Sequence, residues 1–251
     1  KKNLLQRNTG YNHQLFINNS VPLSGGIYIL FPVILIYFPN HIFFISVFIL
    51  LFFLGLFSDL NIFSSSKKRF LIQTLVILIF VLITKTEVLP SRIEFIDNNF
   101  QNTYWSYFFT TFCLMILING SNFIDGLNGL FIGYLLIIIL ILYKLNLIQL
   151  LEISNENILF FIFAIFFIFI LNLSNKLFIG DSGAYSLSFL LGFTLITIYN
   201  LNQNISPYFI ILLLWYPCFE NLYSIIRKFI NKKSPLDPDN NHLHHYLFIF
   251  L

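Results

Sequence analysis

Carboxylates stand at the ends of three long apolar runs, each inside a short polar motif. Asp125 lies in NGSNFIDGLNGL, residues 119–130. There Asn119, Asn122 and Asp125 recur every three residues, so a helix would put them on one face. Amides and a carboxylate are costly to place at the end of a membrane span, and such groups mark a site by default. A polar turn between helices is the plainer alternative. Asp59 ends an apolar run in LGLFSDL. A helix C-terminus disfavours an anion there, and a solvated loop aspartate beside Lys67, Lys68 and Arg69 is the competing reading. Asp181 opens an apolar run in GDSG. It or Ser182 could cap the helix. Its carboxylate could equally hold Mg²⁺, which takes carboxylate and phosphate oxygens and keeps several waters.

Two further features lie near the end of the chain. SPLDPDNNHLHHYL, residues 234–247, contains His242, His244 and His245. Structural zinc would call for accompanying cysteines, and none are there. The histidines read better as donors to phosphate oxygens, helped by Arg227, Lys228, Lys232 and Lys233. A surface cluster without a role, and basic residues that only set topology, stay open. Glu220 is a lone acid inside the last apolar run. It marks a site by default, and a structural acid at interface depth is the alternative.

The elements that must position these groups follow from composition. Of the 251 residues 57% are hydrophobic and 10% charged, a balance no water-soluble surface could carry. The class is an all-α polytopic membrane protein. Eight apolar segments can be drawn, roughly 23–38, 42–57, 70–84, 104–118, 127–143, 158–173, 183–199 and 208–226, which gives about eight transmembrane helices. Several are short for a bilayer, so their helices should run on into the flanking polar residues. Pro32 and Pro217 should kink the first and the last. VPLSGG at 21–26 opens the first span, either as an ordinary loop-to-helix entry or as one side of a close helix pair. Cys113 and Cys218 lie inside apolar runs, with no disulfide framework and no CxxC metal site.

Alternating the loops places 11 of the 14 basic residues on one side and Lys85, Arg92 and Lys144 on the other. The first side is cytoplasmic by the positive-inside rule. Every polar motif described above falls on that side, and so do Asp59, Asp125 and Asp181. The expectation is a single cytoplasm-facing cleft assembled from several loops.

In chain order, VPLSGG at 21–26, LGLFSDL at 54–60, NGSNFIDGLNGL at 119–130, GDSG at 180–183 and PCFENLYSIIRKF with HLHH at 217–245 resemble the polyprenyl-phosphate N-acetylhexosamine-1-phosphate transferase superfamily (glycosyltransferase family 4). The pattern looks closest to the branch that starts O-antigen or related glycan chains. The resemblance implies transfer of a sugar-1-phosphate from a UDP-N-acetylamino sugar to undecaprenyl or another polyprenyl phosphate, with release of UMP. It implies Mg²⁺, with Mn²⁺ as a substitute, held by Asp181 with Asn122 close by. Asp59 would act on or orient the acceptor phosphate, and Asp125 would belong to the nucleotide and metal pocket. Asn119, Asn122, Asn128, Arg227, His242, His244 and His245 would contact substrate. The implied setting is the cytoplasmic (inner) membrane of a bacterium, with the site on the cytoplasmic face. A homodimer is compatible with it, and no nucleic-acid partner is implied.

The chain departs from the family's pattern in three places. Ser58 stands where the first acid of an Asp-Asp pair is usual, Asn128 replaces a second central aspartate, and Tyr246 stands where an arginine often follows HLHH. Residues 1–251 read as one transmembrane transferase domain, and the resemblance implies a further span before it and one or more after it. A non-catalytic homologue and a polytopic transporter are the competing classes. A transporter would carry its polar groups near the middle of the spans.

Overall fold

In lipid, every backbone polar group must be satisfied within its own segment, so uninterrupted apolar runs fold as helices. The computed structural model describes residues 6–7, 21–37, 41–63, 65–88, 90–99, 103–232, 234 and 243. All eight apolar runs form helices: α1 Gly25–Tyr37, α2 Ile42–Asp59, α3 Ser66–Thr84, α5 Thr103–Ile124, α6 Leu130–Lys144, α7 Asn155–Leu173, α8 Gly180–Leu201 and α9 Pro207–Ile230, with a short α4, Glu94–Asn99, between α3 and α5. Five of them, α2, α5, α7, α8 and α9, are long and apolar enough to cross a membrane, and α1 and α6 are shorter apolar helices. The chain is an all-α, multi-pass membrane protein. A two-residue antiparallel ladder pairs Gln6–Arg7 with Val21–Pro22.

Helix α8 is the axis of the bundle. Its residues from Gly180 to Gly192 are all buried, and it packs most extensively on α2, then on α5 and α1. Lipid tails are as apolar as leucine, so helices associate there through close packing rather than through a hydrophobic driving force. The chain supplies that packing with rings and with glycines. Phe44 of α2 stacks on Phe193 and Phe189 of α8, with centroids 4.7 and 5.4 Å apart. Gly26 of α1 faces Gly183 of α8 so closely that a Cβ on Gly26 would lie 2.6 Å from the Gly183 nitrogen.

The approach to α1 is fixed by backbone bonds. Phe178 N–H donates to Pro22 O (2.9 Å), Gly25 N–H to Phe178 O (2.9 Å) and Gly26 N–H to Ile179 O (3.2 Å). Leu23 and Phe178 form a parallel bridge. The motif at 21–26 is therefore laid along the segment that leads into α8, and of its two sequence readings the close helix pair is the one observed.

Helix α5 runs six residues past the apolar stretch 104–118 and takes in Asn119–Asn122 before ending at Ile124. Asp125 N–H still bonds Ser121 O (3.1 Å), so Asp125 leaves the last turn in helical register. Helices α7 and α9 are peripheral, each with only 22% of its span buried. They expose large side chains such as Phe163, Phe167, Leu212 and Trp215, as lipid-facing helices do.

Candidate active site

The end of α2 meets the start of α8. Four amides at a helix N-terminus lack an intrahelical acceptor, and Ile179, at the cap position of α8, has no side chain that could serve them. Asp59 serves from another helix. Its Oδ1 accepts from Asp181 N–H (3.0 Å) and its Oδ2 from Ser182 N–H (3.1 Å). An anion that the end of α2 disfavours is stabilised by the positive end of α8. Gly180 makes room for it. It has φ +74°, and a Cβ there would lie 2.7 Å from Asp59 Oδ2.

Because Asp59 caps α8, the Asp181 side chain is released from that task and points into a polar network. Ser58 Oγ donates to Asp181 Oδ2, and Arg69 Nη1 donates to Ser58 Oγ. Arg69 Nη1 also lies 3.8 Å from Asp181 Oδ2. Tyr185, one helical turn on, donates its hydroxyl to Asp181 Oδ2 at 3.4 Å. Arg69 is itself steadied by Phe63 O (3.3 Å) and Ser66 Oγ (3.4 Å). Ser58 therefore bridges the guanidinium and the carboxylate.

Asp125 reaches the same place from the end of α5 and accepts from the Gly180 N–H. Burial holds its carboxyl well above the usual carboxylate range. Repulsion from Asp181 and Asp59 adds to this, and the Gly180 hydrogen bond opposes it without prevailing. Three acids from three helix ends thus sense one another, and among the described residues Arg69 is the cation bonded into the network through Asp181.

The asparagines divide. Asn119 donates back to Met115 O within its own helix (2.8 Å). Asn128 donates to Asn175, across to the loop before α8. Beside it, Gly129 N–H donates to Asn172 Oδ1 (2.5 Å), and Asn172 Nδ2 donates to Leu177 O (3.0 Å). The second half of the central motif is thereby clasped to the α7–α8 loop. Asn122 is half-buried, and its side chain makes no hydrogen bond among the described residues.

On α9, Arg227 lies over the Tyr223 ring at 5.6 Å. Its neighbour Lys228 is the buried base, with Nζ 5.8 Å from the centroid of Phe123, the residue after Asn122. His242, His244 and His245 lie outside the described residues.

The sequence reading assigned no role to Arg69, Tyr185 or Asn172, and gave Lys228 only as a helper to the histidines in binding phosphate. Helical spacing would have flagged Tyr185, four residues after Asp181, and Lys228, eight after Glu220. Among the described residues no group of three His, Cys, Asp or Glu side chains converges as a ready-made metal cage. The donors present still fit a hard divalent cation: carboxylate oxygens in a cluster where acids outnumber the bonded cation.

A multi-pass helical bundle with buried acids gathered at helix ends defines a membrane protein with a polar site at one end of its helices. Residues 41–199 match glycosyl transferase family 4, and the chain belongs to that family. The match takes in Asp59, Arg69, Asp125 and Asp181 and stops short of α9.

Among curated proteins, the chain is 28% identical over 196 residues to a probable undecaprenyl-phosphate N-acetylglucosaminyl 1-phosphate transferase of Bacillus subtilis (strain 168), covering 74% of this chain and 52% of the relative. It is 28% identical over 130 residues to an undecaprenyl-phosphate alpha-N-acetylglucosaminyl 1-phosphate transferase of Thermotoga maritima, covering 51% and 38%. It is 31% identical over 153 residues to a decaprenyl-phosphate N-acetylglucosaminephosphotransferase of Mycolicibacterium smegmatis, covering 52% and 37%. The chain thus spans about half or less of the length of these relatives.

Proposed function

We propose that the protein transfers a sugar-1-phosphate from a UDP-N-acetylamino sugar to undecaprenyl phosphate or a related polyprenyl phosphate, releasing UMP at the first membrane step of a surface glycan. The observation that carries this reading is that Asp59, Asp125 and Asp181 come from three helix ends to within electrostatic reach of one another at one end of the bundle, with Arg69 beside Asp181. In the reaction an oxygen of the acceptor phosphate attacks the sugar-bearing phosphorus of the donor. The bond from that phosphorus to the bridging oxygen breaks, and the oxygen leaves with UMP. Such a transfer needs charge neutralisation and alignment more than covalent chemistry.

Asp181 would hold Mg²⁺, with Asp125 near it and Asn122 as a further ligand, and the ion when bound would supply charge neutralisation at the donor's phosphates. Asp59 holds the α8 terminus and, through it, the position of Asp181. Arg69 and Ser58 orient the Asp181 carboxylate. Placing the cluster at helix ends lets a lipid phosphate reach it from the bilayer. All eight apolar helices would cross the membrane, with the site on the cytoplasmic face of a bacterial inner membrane, as the loop charges favour. Ser58 already takes part in the network, so its replacement of an acid is compatible with activity.

The test is purified full-length protein with undecaprenyl phosphate, Mg²⁺ and a panel of UDP-amino sugars, scored by UMP release and lipid-linked product mass. Release from at least one donor is expected. Release from none would overturn the reading.

A further inference from the structure

The end of the bundle away from the carboxylates holds a cavity in two parts. His41 immediately precedes α2 and Asp59 ends it, so a helix of 18 residues separates the two ends. At 1.5 Å per residue that is about 27 Å, close to the thickness of a bilayer's hydrocarbon core. His41, Glu152, Thr194 and Thr197 are among the side chains lining the first part, which has a volume of about 240 Å³. The second part, of about 50 Å³, lies deeper. Along α8 the first is bounded by residues between Phe193 and Leu201, and the second by Leu190, Leu191 and Thr194. Leu135 and Leu142 of α6 also line the second part, two helical turns apart, which gives it about 10 Å of depth. Tyr37, Leu151 and Thr194 line both parts, so the two adjoin.

The two parts ask for different chemistry. The deeper one is walled almost wholly by aliphatic and aromatic side chains, and such a space stays dry and takes hydrocarbon. The first is far larger than the 10–15 Å³ or so that one water needs. The Glu152 carboxylate and the His41 imidazole make no hydrogen bond or ion pair among the described residues. A carboxylate only accepts, and a neutral imidazole brings one N–H to donate. Tyr37 Oη and Thr194 Oγ1 share one hydrogen at 3.4 Å, which leaves the other hydroxyl hydrogen to give away. An anionic acceptor and neutral donors therefore line one polar mouth above an apolar slot.

We propose that this cavity binds a phospholipid with a primary-ammonium head, phosphatidylethanolamine being the simplest. The ammonium meets Glu152, a phosphate oxygen takes the hydrogens of His41 and of the tyrosine–threonine pair, and one acyl chain enters the apolar part. Glu152 repels a purely anionic head. A quaternary ammonium has no hydrogen to give it. Bound there, the lipid ties α8 to α1 and to residues 148–153, and it stabilises the fold by mass action. The site is a bilayer's thickness away from Asp181 and does not rest on the transferase reading.

The test is native mass spectrometry of the full-length protein, stripped of lipid in detergent and titrated with phosphatidylethanolamine, phosphatidylcholine or phosphatidylglycerol. Wild type should be half-occupied by one phosphatidylethanolamine at a concentration about ten-fold lower than for either other lipid, the worth of one bond to a charged acceptor. Glu152→Gln keeps the shape of the exposed mouth and removes its charge, and it should erase that preference. Ile153→Trp, at a half-buried position between the 148–151 turn and α7, fills the apolar part and should weaken the binding of that lipid about ten-fold or more. Added phosphatidylethanolamine should raise the melting temperature of wild type and not that of Ile153→Trp. A preference for phosphatidylethanolamine that is absent from wild type, or that survives Glu152→Gln, would overturn the assignment of the head. Wild-type affinity in Ile153→Trp would overturn the site, and if that variant does not fold, Glu152→Gln decides alone. A protein that transfers no sugar phosphate would leave each of these outcomes unchanged.

Discussion

The loops α5–α6 and α7–α8 meet twice, and the two meetings are built from opposite chemistry. At the first, Asp125 and Asp181 lie buried near Asp59 and repel one another, and only Asp181 has Arg69 beside it. At the second, Asn128, Asn172 and Asn175 exchange neutral hydrogen bonds with one another and with the backbone of Gly129 and Leu177. A satisfied neutral network holds geometry. A cluster with surplus like charge opposes folding and is retained where that charge has a use, such as meeting a cationic partner. The molecule sets the strained meeting directly beside the satisfied one, so the second keeps the first in place.

The sharpest way to break this contrast is Asp181→Asn. If the cluster does the chemistry, turnover falls about 10³-fold. The melting temperature should not fall, because a repelling charge has gone. A turnover loss under about ten-fold would move Asp181 to the scaffold side. The reciprocal experiment is Asn172→Leu. It leaves the Gly129 N–H and the Leu177 carbonyl without their partner, which should lower stability by about 2 to 4 kcal/mol in a denaturant titration. Turnover per folded molecule should change less than about three-fold. A large loss of turnover at full folding would show that the amide lattice belongs to the chemistry.

Which half was legible in the sequence follows from which signals are local. The eight apolar runs and the polar island at 119–130 are composition read along the chain. Asp59, Asp125 and Asp181 could be grouped because loop charges sort the ends of spans into two sides. The bridge from Leu23 to Phe178 joins residues about 150 positions apart, and no local pattern encodes it. Lys67, Lys68 and Arg69 look alike as a basic run. Only the helical turn of α3 separates the two exposed lysines from the half-buried Arg69 that joins the cluster. Asn172 closes an apolar run as any interfacial amide might, and its partners lie partly in the other loop. The cross-helix cap by Asp59 was hidden because GDSG offers its own capping side chains, and none of them is used.

The charge surplus should also be visible in the pH dependence of stability. The folded state holds the Asp125 carboxyl well above the usual value of about 4. Between that value and the raised one, the folded protein keeps a proton that the unfolded chain has lost. Stability must therefore fall as pH rises through this window. Denaturant midpoints taken against pH in cation-free buffer should show the decline in wild type and a flatter profile in Asp125→Asn. Adding Mg²⁺ should flatten the wild-type profile as well, since a bound cation favours the ionised carboxylate. A wild-type profile that rises with pH would mean that the acids are paired as fully as the amides are.

The smallest expected effect tests the residue that sets this chain apart. Ser58, 1% exposed, holds Arg69 and Asp181 together through one hydroxyl. Ser58→Asp gives Arg69 a carboxylate of its own and adds one negative charge to the cluster. The Mg²⁺ concentration that half-saturates UMP release should then fall about three-fold, with maximal turnover changed less than about ten-fold. Ser58→Ala should act in the opposite sense. With the hydroxyl gone, Arg69, already 3.8 Å from Asp181, can close on that carboxylate and neutralise it, which raises the Mg²⁺ requirement. Opposite shifts would identify Ser58 as the residue that shares out the guanidinium's charge. Shifts of the same sign would reduce it to a spacer, and the cluster's charge balance would then rest on Arg69 alone.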